Sequence, residues 1–120
     1  AVSSTIRDKA FDYWTGTVYT TNRRIWEHDE EFKKRLIQTR AMCVDMETAT
    51  LFVTGFYNHI PTGALLLVSD QPMIPEGVKT EASDKLVTER YVKNHVNIGI
   101  DAMRMLIDEK KTVKHLKYEW

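Results

Sequence analysis

Residues 41–69, AMCVDMETATLFVTGFYNHIPTGALLLVS, decide the fold. Ala41 to Asp45 is a short strand-forming run. From Met46 or Glu47 to about Asn58, the apolar residues Ala49, Phe52, Val53 and Phe56 recur every three or four positions, the spacing of one helical face. Gly63 to Ser69 (GALLLVS) is apolar at successive positions, as expected of a central strand covered by helices on both sides. Strand, helix and strand in this order predict a βαβ unit whose two strands are parallel. The C-terminal ends of parallel strands share one sheet edge, and ligands of open α/β sheets bind at that edge.

The flanking sequence extends this pattern. Residues 1–10 carry little signal. Phe11 to Thr21 (FDYWTGTVYTT) is rich in aromatic and β-branched residues and predicts a strand bent near Gly16. Glu27 to Gln38 predicts a surface helix with Phe32 and Leu36 as its buried stripe. Glu30 with Lys34 and Glu31 with Arg35 stand in the favourable i, i+4 order for ion pairs. Ser69 to Ala82 (SDQPMIPEGVKTEA) holds two of the three prolines and predicts an exposed loop, long enough for a binding role. Ser83 to about Lys110 predicts a long helix capped by Ser83 or Asp84, with Val87, Tyr91, Ile98, Ala102 and Leu106 on one face. The last ten residues, KTVKHLKYEW, are expected to lie across the surface or against a neighbour. Alternating strands and helices define an α/β layered fold.

Composition narrows the function classes. The 120 residues contain 17 Lys and Arg against 17 Asp and Glu, a formal charge of zero. That balance argues against a protein built to neutralise nucleic-acid phosphates or anionic lipid. A single cysteine, Cys43, forms no internal disulfide framework and suits a reducing compartment. No apolar run approaches the ~20 residues of a membrane span, and the first residues, AVSSTIRDKAF, lack the apolar core of a signal peptide. These features lead to the expectation of a cytoplasmic protein with neither a nucleic-acid nor a membrane partner.

Two carboxylates fall at the expected strand ends: Glu47 after the first strand and Asp70 after the second. One crossover would make them spatial neighbours, and a nucleoside-sized ligand could bridge the one- or two-strand spacing of ~4.8–10 Å. Each also has a plain structural explanation. An acidic residue in a first helical turn gains from the helix dipole, and an Asp before Pro72 turns the chain. Asp45 is an equally good strand-end carboxylate. Arg23 and Arg24 could hold a phosphate through guanidinium forks, or be a solvated pair. Tyr19 could stack on a purine or belong to the core. The four histidines, at 28, 59, 95 and 115, show no metal-ligand spacing. There is no glycine-rich phosphate loop and no nucleophile elbow, so no metal or cofactor is expected. Cys43, within an apolar strand, reads as an inert core thiol.

Val44-Asp45-Met46-Glu47-Thr48-Ala49, followed after one crossover by Val68-Ser69-Asp70, resembles the paired signature of the purine nucleoside phosphorylase and nucleosidase superfamily. The segments TGTVYTTNR (Thr15 to Arg23), PEGVKT (Pro75 to Thr80) and VKHLKYEW (Val113 to Trp120) resemble one branch of it, the AMP nucleosidases. The resemblance implies a three-layer α/β sandwich of the nucleoside phosphorylase type. Family catalytic domains are longer, so residues 1–120 resemble the C-terminal half of a single nucleoside phosphorylase-like catalytic domain. The N-terminal half would supply early strands, phosphate contacts and the water-activating group. The implied reaction is hydrolysis of the N-glycosidic bond of AMP to adenine and ribose 5-phosphate through an oxocarbenium-like transition state. By the same analogy Asp70 is the general acid at purine N7 and Glu47 binds the ribose hydroxyls. Met46 packs on the sugar, Tyr19 stacks on the base, and Asn22 and Arg23 contact the 5′-phosphate. A homo-oligomer is implied, with a companion chain supplying the missing half if the rest of the domain lies elsewhere. The alternatives are a purine nucleoside phosphorylase or related nucleosidase, and a non-catalytic nucleotide-binding or oligomerisation module.

Overall fold

The computed structural model describes residues 1–77 and 79–110. Its elements run α1 (Val2–Asp8), β1 (Thr17–Thr20), a 3₁₀ turn (Trp26–His28), α2 (Glu30–Gln38), β2 (Ala41–Asp45), α3 (Thr48–Tyr57), α4 (Glu81–Val87), a π-helical turn (Thr88–Val92) and α5 (Lys93–Glu109). β1 and β2 pair in parallel, and α2 is the crossover between them. The register sets Val18 against Cys43, Tyr19 against Val44 and Thr20 against Asp45. It slips between Thr17 and Val18, and Met42 is the residue skipped. Gly16 explains the slip, because a Cβ there would come within 1.9 Å of the Met42 sulfur. The expected bend near Gly16 is therefore the point at which β1 begins.

The parallel unit is β1–α2–β2, which corrects the expectation that residues 63–69 form its second strand. Residues 61–70 adopt no regular strand. Leu65, Leu66 and Leu67 are half-buried, and Ala64 and Leu66 face Gly16, Val18 and Thr20 across a second cavity of about 330 Å³. Apolar composition favours burial, but a strand exists only when a neighbouring backbone supplies its ladder hydrogen bonds.

Two small apolar clusters hold the described residues together. In the first, Phe32 and Leu36 of α2 are buried as expected, and the Phe32 ring packs edge-on against Tyr19 at 5.4 Å and tilted against Trp26 at 5.8 Å. In the second, Ile98 and Ala102 of α5 are buried, as are Thr5 and Ile6 of α1, which packs on α5 and adds a Lys9–Asp101 ion pair at 2.6 Å. α1 had no sequence signal because seven residues give barely two turns of periodicity. The long helix starts at Glu81 rather than at Ser83. Thr80 is its cap: its Oγ1 accepts the Ser83 N–H at 3.2 Å, and the Ser83 Oγ accepts the Thr80 N–H at 3.0 Å, a reciprocal capping box.

The apolar face of α3 is not buried among the described residues. Phe56 is 86% exposed, Tyr57 82% and Val53 68%, and only Gly55 is buried in this helix. The helix forms where the side-chain period predicts it, but period alone does not supply a surface to pack against. The loop after residue 69 is tied off by Gln71 N–H to Gly77 O at 2.8 Å, and a Cβ at Gly77 would meet that Gln71 carbonyl oxygen at 1.9 Å. The expectation for residues 111–120 lies outside the described residues.

The ends of both strands and the start of α3 converge on Asp45. Its Oδ1 accepts the Thr20 hydroxyl at 2.6 Å, and its Oδ2 accepts the Thr48 N–H at 2.8 Å and the Thr48 hydroxyl. Its carbonyl accepts the Thr21 N–H at 2.8 Å, and Thr20 Oγ1 in turn accepts the Ala49 N–H at 2.9 Å. Partial burial alone would raise this carboxyl, but the Thr20 and Thr48 hydroxyls and the Thr48 and Glu47 N–H groups hold it below its ordinary value. Asp45→Ala should therefore cost about 1–3 kcal/mol, the usual penalty for stranding such donors, read from the urea midpoint. A carboxyl lowered in the folded state stabilises fully above the unfolded value of 3.8 and loses that contribution as pH falls below it. The gap between wild type and Asp45→Ala should thus hold near neutrality and close in acid. A gap that persists in acid would mean that the ionised carboxylate is not what stabilises.

Candidate active site

The C-terminal rim of the parallel pair opens into a cleft of about 360 Å³, within the size range of small-molecule sites. Tyr19 and Thr20 end β1, and Thr21, Asn22 and Arg23 leave it. Met46 leaves β2, Thr50 lies in the first turn of α3, and Phe32 and Arg35 enter from α2. The sequence-predicted residues Tyr19, Asn22, Arg23 and Met46 are thus brought together. Arg35 and Thr50 join them without having been singled out. Arg35 was masked by its expected i, i+4 pairing with Glu31, which is absent from the ion pairs of the described residues. Glu30 likewise pairs with Lys33 at 2.8 Å and not with Lys34.

The cleft wall is ordered by a short chain of contacts. Asp29 caps α2, its Oδ1 accepting the Phe32 N–H at 3.0 Å, and its Oδ2 takes the Arg23 guanidinium at 2.6 Å. The Phe32 N–H, with Arg23 beside it, holds the Asp29 carboxyl below the usual carboxylate range despite the opposing effect of desolvation. The Arg23 guanidinium carbon also lies 5.7 Å from the Phe32 ring centre. Tyr19 is half-buried and meets Phe32 edge-on, so one side of its ring belongs to the core cluster.

The two carboxylates are not lining residues of this cleft. Glu47 is exposed at the N-cap position of α3, makes no side-chain cap bond, and accepts the Met46 N–H at 3.2 Å. The capping contact to the first helical residue comes from Asp45, which removes Asp45 as a free alternative to Glu47. Asp70 is half-buried and accepts the Ser69 hydroxyl. Its charge reaches Lys79, whose ammonium is held above its ordinary value first by the hydrogen bond to Asp84 at 2.8 Å and more weakly by Asp70. Cys43 is a half-buried free thiol in β2. Among the described residues no group of three or more His, Cys, Asp or Glu side chains is placed to hold a metal, and no helix is long and apolar enough to cross a membrane.

A parallel strand pair with a cleft at its C-terminal rim describes an α/β domain of the kind that binds small ligands at that edge. The sequence model of the Phosphorylase superfamily matches residues 1–104, and the chain belongs to that superfamily. It is 38% identical over 93 residues to the AMP nucleosidase of Escherichia coli K12, and equally to that of strain O157:H7. The matched part is 77% of this chain and 19% of either relative. Among solved structures it is similar to the AMP nucleosidase of Bacteroides thetaiotaomicron, at 53% identity and a TM-score of 0.71, over 92% of this chain and 42% of that one. The chain therefore spans about one fifth of the curated relatives and under half of the solved one, and its fold is part of a nucleoside phosphorylase-type domain.

Phe32 organises the cleft wall, so Phe32→Ala should cost about 3 kcal/mol or more in urea unfolding, as aromatic truncations in packed sites do. Unchanged stability would mean that the Tyr19–Phe32–Trp26 cluster does not hold the wall.

Proposed function

We propose that the intact protein hydrolyses the N-glycosidic bond of AMP, releasing adenine and ribose 5-phosphate, a step of purine nucleotide salvage or catabolism. The observation that carries this reading is the 53% identity with a solved AMP nucleosidase over 92% of the chain. The same stretch includes both Met46-Glu47 and Ser69-Asp70. An open rim cleft with two guanidinium groups on its wall supports a substrate that carries a phosphate.

In this reading the bond breaks with little help from the incoming water, so positive charge builds on the ribose and negative charge on the departing purine. Asp70 gives a proton or a strong hydrogen bond to N7 of the base, a contribution of about 10²–10⁴-fold for a general acid. The Ser69 hydroxyl, already donated to Asp70, orients that carboxyl. Glu47, at the start of α3, accepts from the ribose hydroxyls. Met46 packs on the sugar and Tyr19 on the base, while Asn22 and Arg23 lie toward the 5′-phosphate. The working enzyme is proposed to be a homo-oligomer. Polypeptide beyond these residues, in the same chain or a companion, would supply the group that activates water and cover the exposed face of α3.

Asp70→Asn in the intact protein should lower kcat for adenine release by at least ~10²-fold while leaving the thermal melt in place. Turnover near the wild-type rate would exclude Asp70 as the acid. Glu47→Gln should weaken ribose-bearing ligands and spare free adenine, and equal loss for both would make Glu47 structural. The products decide the reaction type. Ribose 5-phosphate from AMP is expected, ribose 1-phosphate from a nucleoside plus phosphate would indicate a phosphorylase, and adenine binding without any turnover would indicate a binding module.

A further inference from the structure

The two arginines on the cleft wall are not equivalent. Arg23, the one that its sequence neighbours single out for phosphate, is already engaged. Its guanidinium meets the Asp29 carboxylate at 2.6 Å and leans over the Phe32 ring. Asp29 in turn is fixed by capping α2, so it cannot swing away without releasing the Phe32 N–H. A phosphate that approached Arg23 would meet the field of this carboxylate as well. Arg35 has no such partner: among the described residues its side chain enters no ion pair and no hydrogen bond, and the expected contact with Glu31 does not form. It lines the same cleft as Met46 and Thr50.

The other anion-binding groups at this rim can be counted in the same way. The Thr48 N–H at the start of α3 is donated to Asp45, and the Ala49 N–H to Thr20. The Thr20 hydroxyl is donated to Asp45 as well. The Thr21 hydroxyl oxygen accepts the Arg23 N–H at 3.1 Å, and this residue is buried. Among the lining residues, the side chains of Tyr19, Asn22, Thr50 and Arg35 enter no hydrogen bond with other described residues and the Thr21 hydroxyl keeps its proton to donate, but of these only Arg35 carries a positive charge.

We infer that Arg35 is the residue of this chain that receives the phosphate and so sets the preference for a nucleotide over a nucleoside, with the Asn22 amide and Thr50 hydroxyl as flanking donors. The role of Arg23 is then to hold Asp29 and the cleft wall. This inference rests on the function proposed above, and it reassigns the phosphate contact within it. A guanidinium fork binds two phosphate oxygens at once, which a single ammonium cannot reproduce.

The test separates the two halves of the product. Ribose 5-phosphate and adenine are titrated separately into the intact protein by calorimetry, for wild type, Arg35→Ala, Arg35→Lys and Arg23→Ala, with thermal melts run in parallel. Arg35 is exposed, so its replacement should leave the melt in place. Arg35→Ala should weaken ribose 5-phosphate by at least ~10-fold, as expected for a lost charged hydrogen bond, and leave adenine affinity within about twofold. Arg35→Lys should fall between the two, and Arg23→Ala should cost less than Arg35→Ala. If wild type binds ribose 5-phosphate and Arg35→Ala binds it equally well, the inference is overturned while the AMP reading stands. A larger loss in Arg23→Ala, or equal loss of adenine and ribose 5-phosphate in Arg35→Ala, also overturns it. If wild type binds neither compound, the proposed function and this inference fall together.

Discussion

The rim of this domain depends on the carboxylate of Asp45. One side chain ties together the last residue of β1, the end of β2 and the first turn of α3. A two-stranded parallel pair is a weak unit alone, because each strand has one open edge and parallel pairing is slightly less stable per residue than antiparallel. The Asp45 bonds compensate at the end that matters, where both strands stop and the chain turns to build the cleft. They also leave the residues after each strand, Thr21 to Arg23 on one side and Met46 to Glu47 on the other, projecting from fixed points. An acidic residue that looks like catalytic machinery in the sequence is in fact the joint on which the surrounding groups are mounted.

The same logic separates groups that are committed from groups that are open. Arg23 pairs its charge with Asp29, and Thr20 gives its hydroxyl to Asp45, so both carboxylates are engaged within the chain. Asn22, Arg35 and Thr50 line the cleft with side chains that enter no hydrogen bond among the described residues, and Glu47 stands beside it at the start of α3. Such a division is what a binding rim needs, since a group that must meet a ligand cannot also be consumed in holding the fold. The open apolar face of α3 is the counterpart on the packing side. It has the composition of a buried surface, and the solved relative is more than twice the length of the segment it shares with this chain.

Much of the element order was legible in the sequence. The β2 run AMCVD, the apolar spacing of α3 and the Phe32–Leu36 stripe of α2 appear where local pattern places them. Failures came where a residue's state depends on a remote partner. GALLLVS reads as a central strand, yet residues 61–70 have no ladder, because a strand needs a neighbouring backbone to pair with and composition alone does not supply one. Glu31 and Arg35 have helix-pair spacing, yet Arg35 faces the cleft. Residues 1–10 offered no pattern, yet Ile6 is among the most buried side chains because α1 packs on α5.

By itself, the sequence determined the strand–helix alternation through α3 and a resemblance strong enough to name the superfamily, because these reside in residue type and spacing along one chain. Only the tertiary structure decided that β1 and β2 are the parallel pair, that Asp45 is a joint and not a free acid, and that Arg35 rather than Arg23 keeps an unneutralised charge at the cleft. The physical reason is that hydrogen bonds and ion pairs are claimed by whichever groups meet in space. Spacing along a helix or strand fixes which side a residue takes, and it leaves open what will be waiting there.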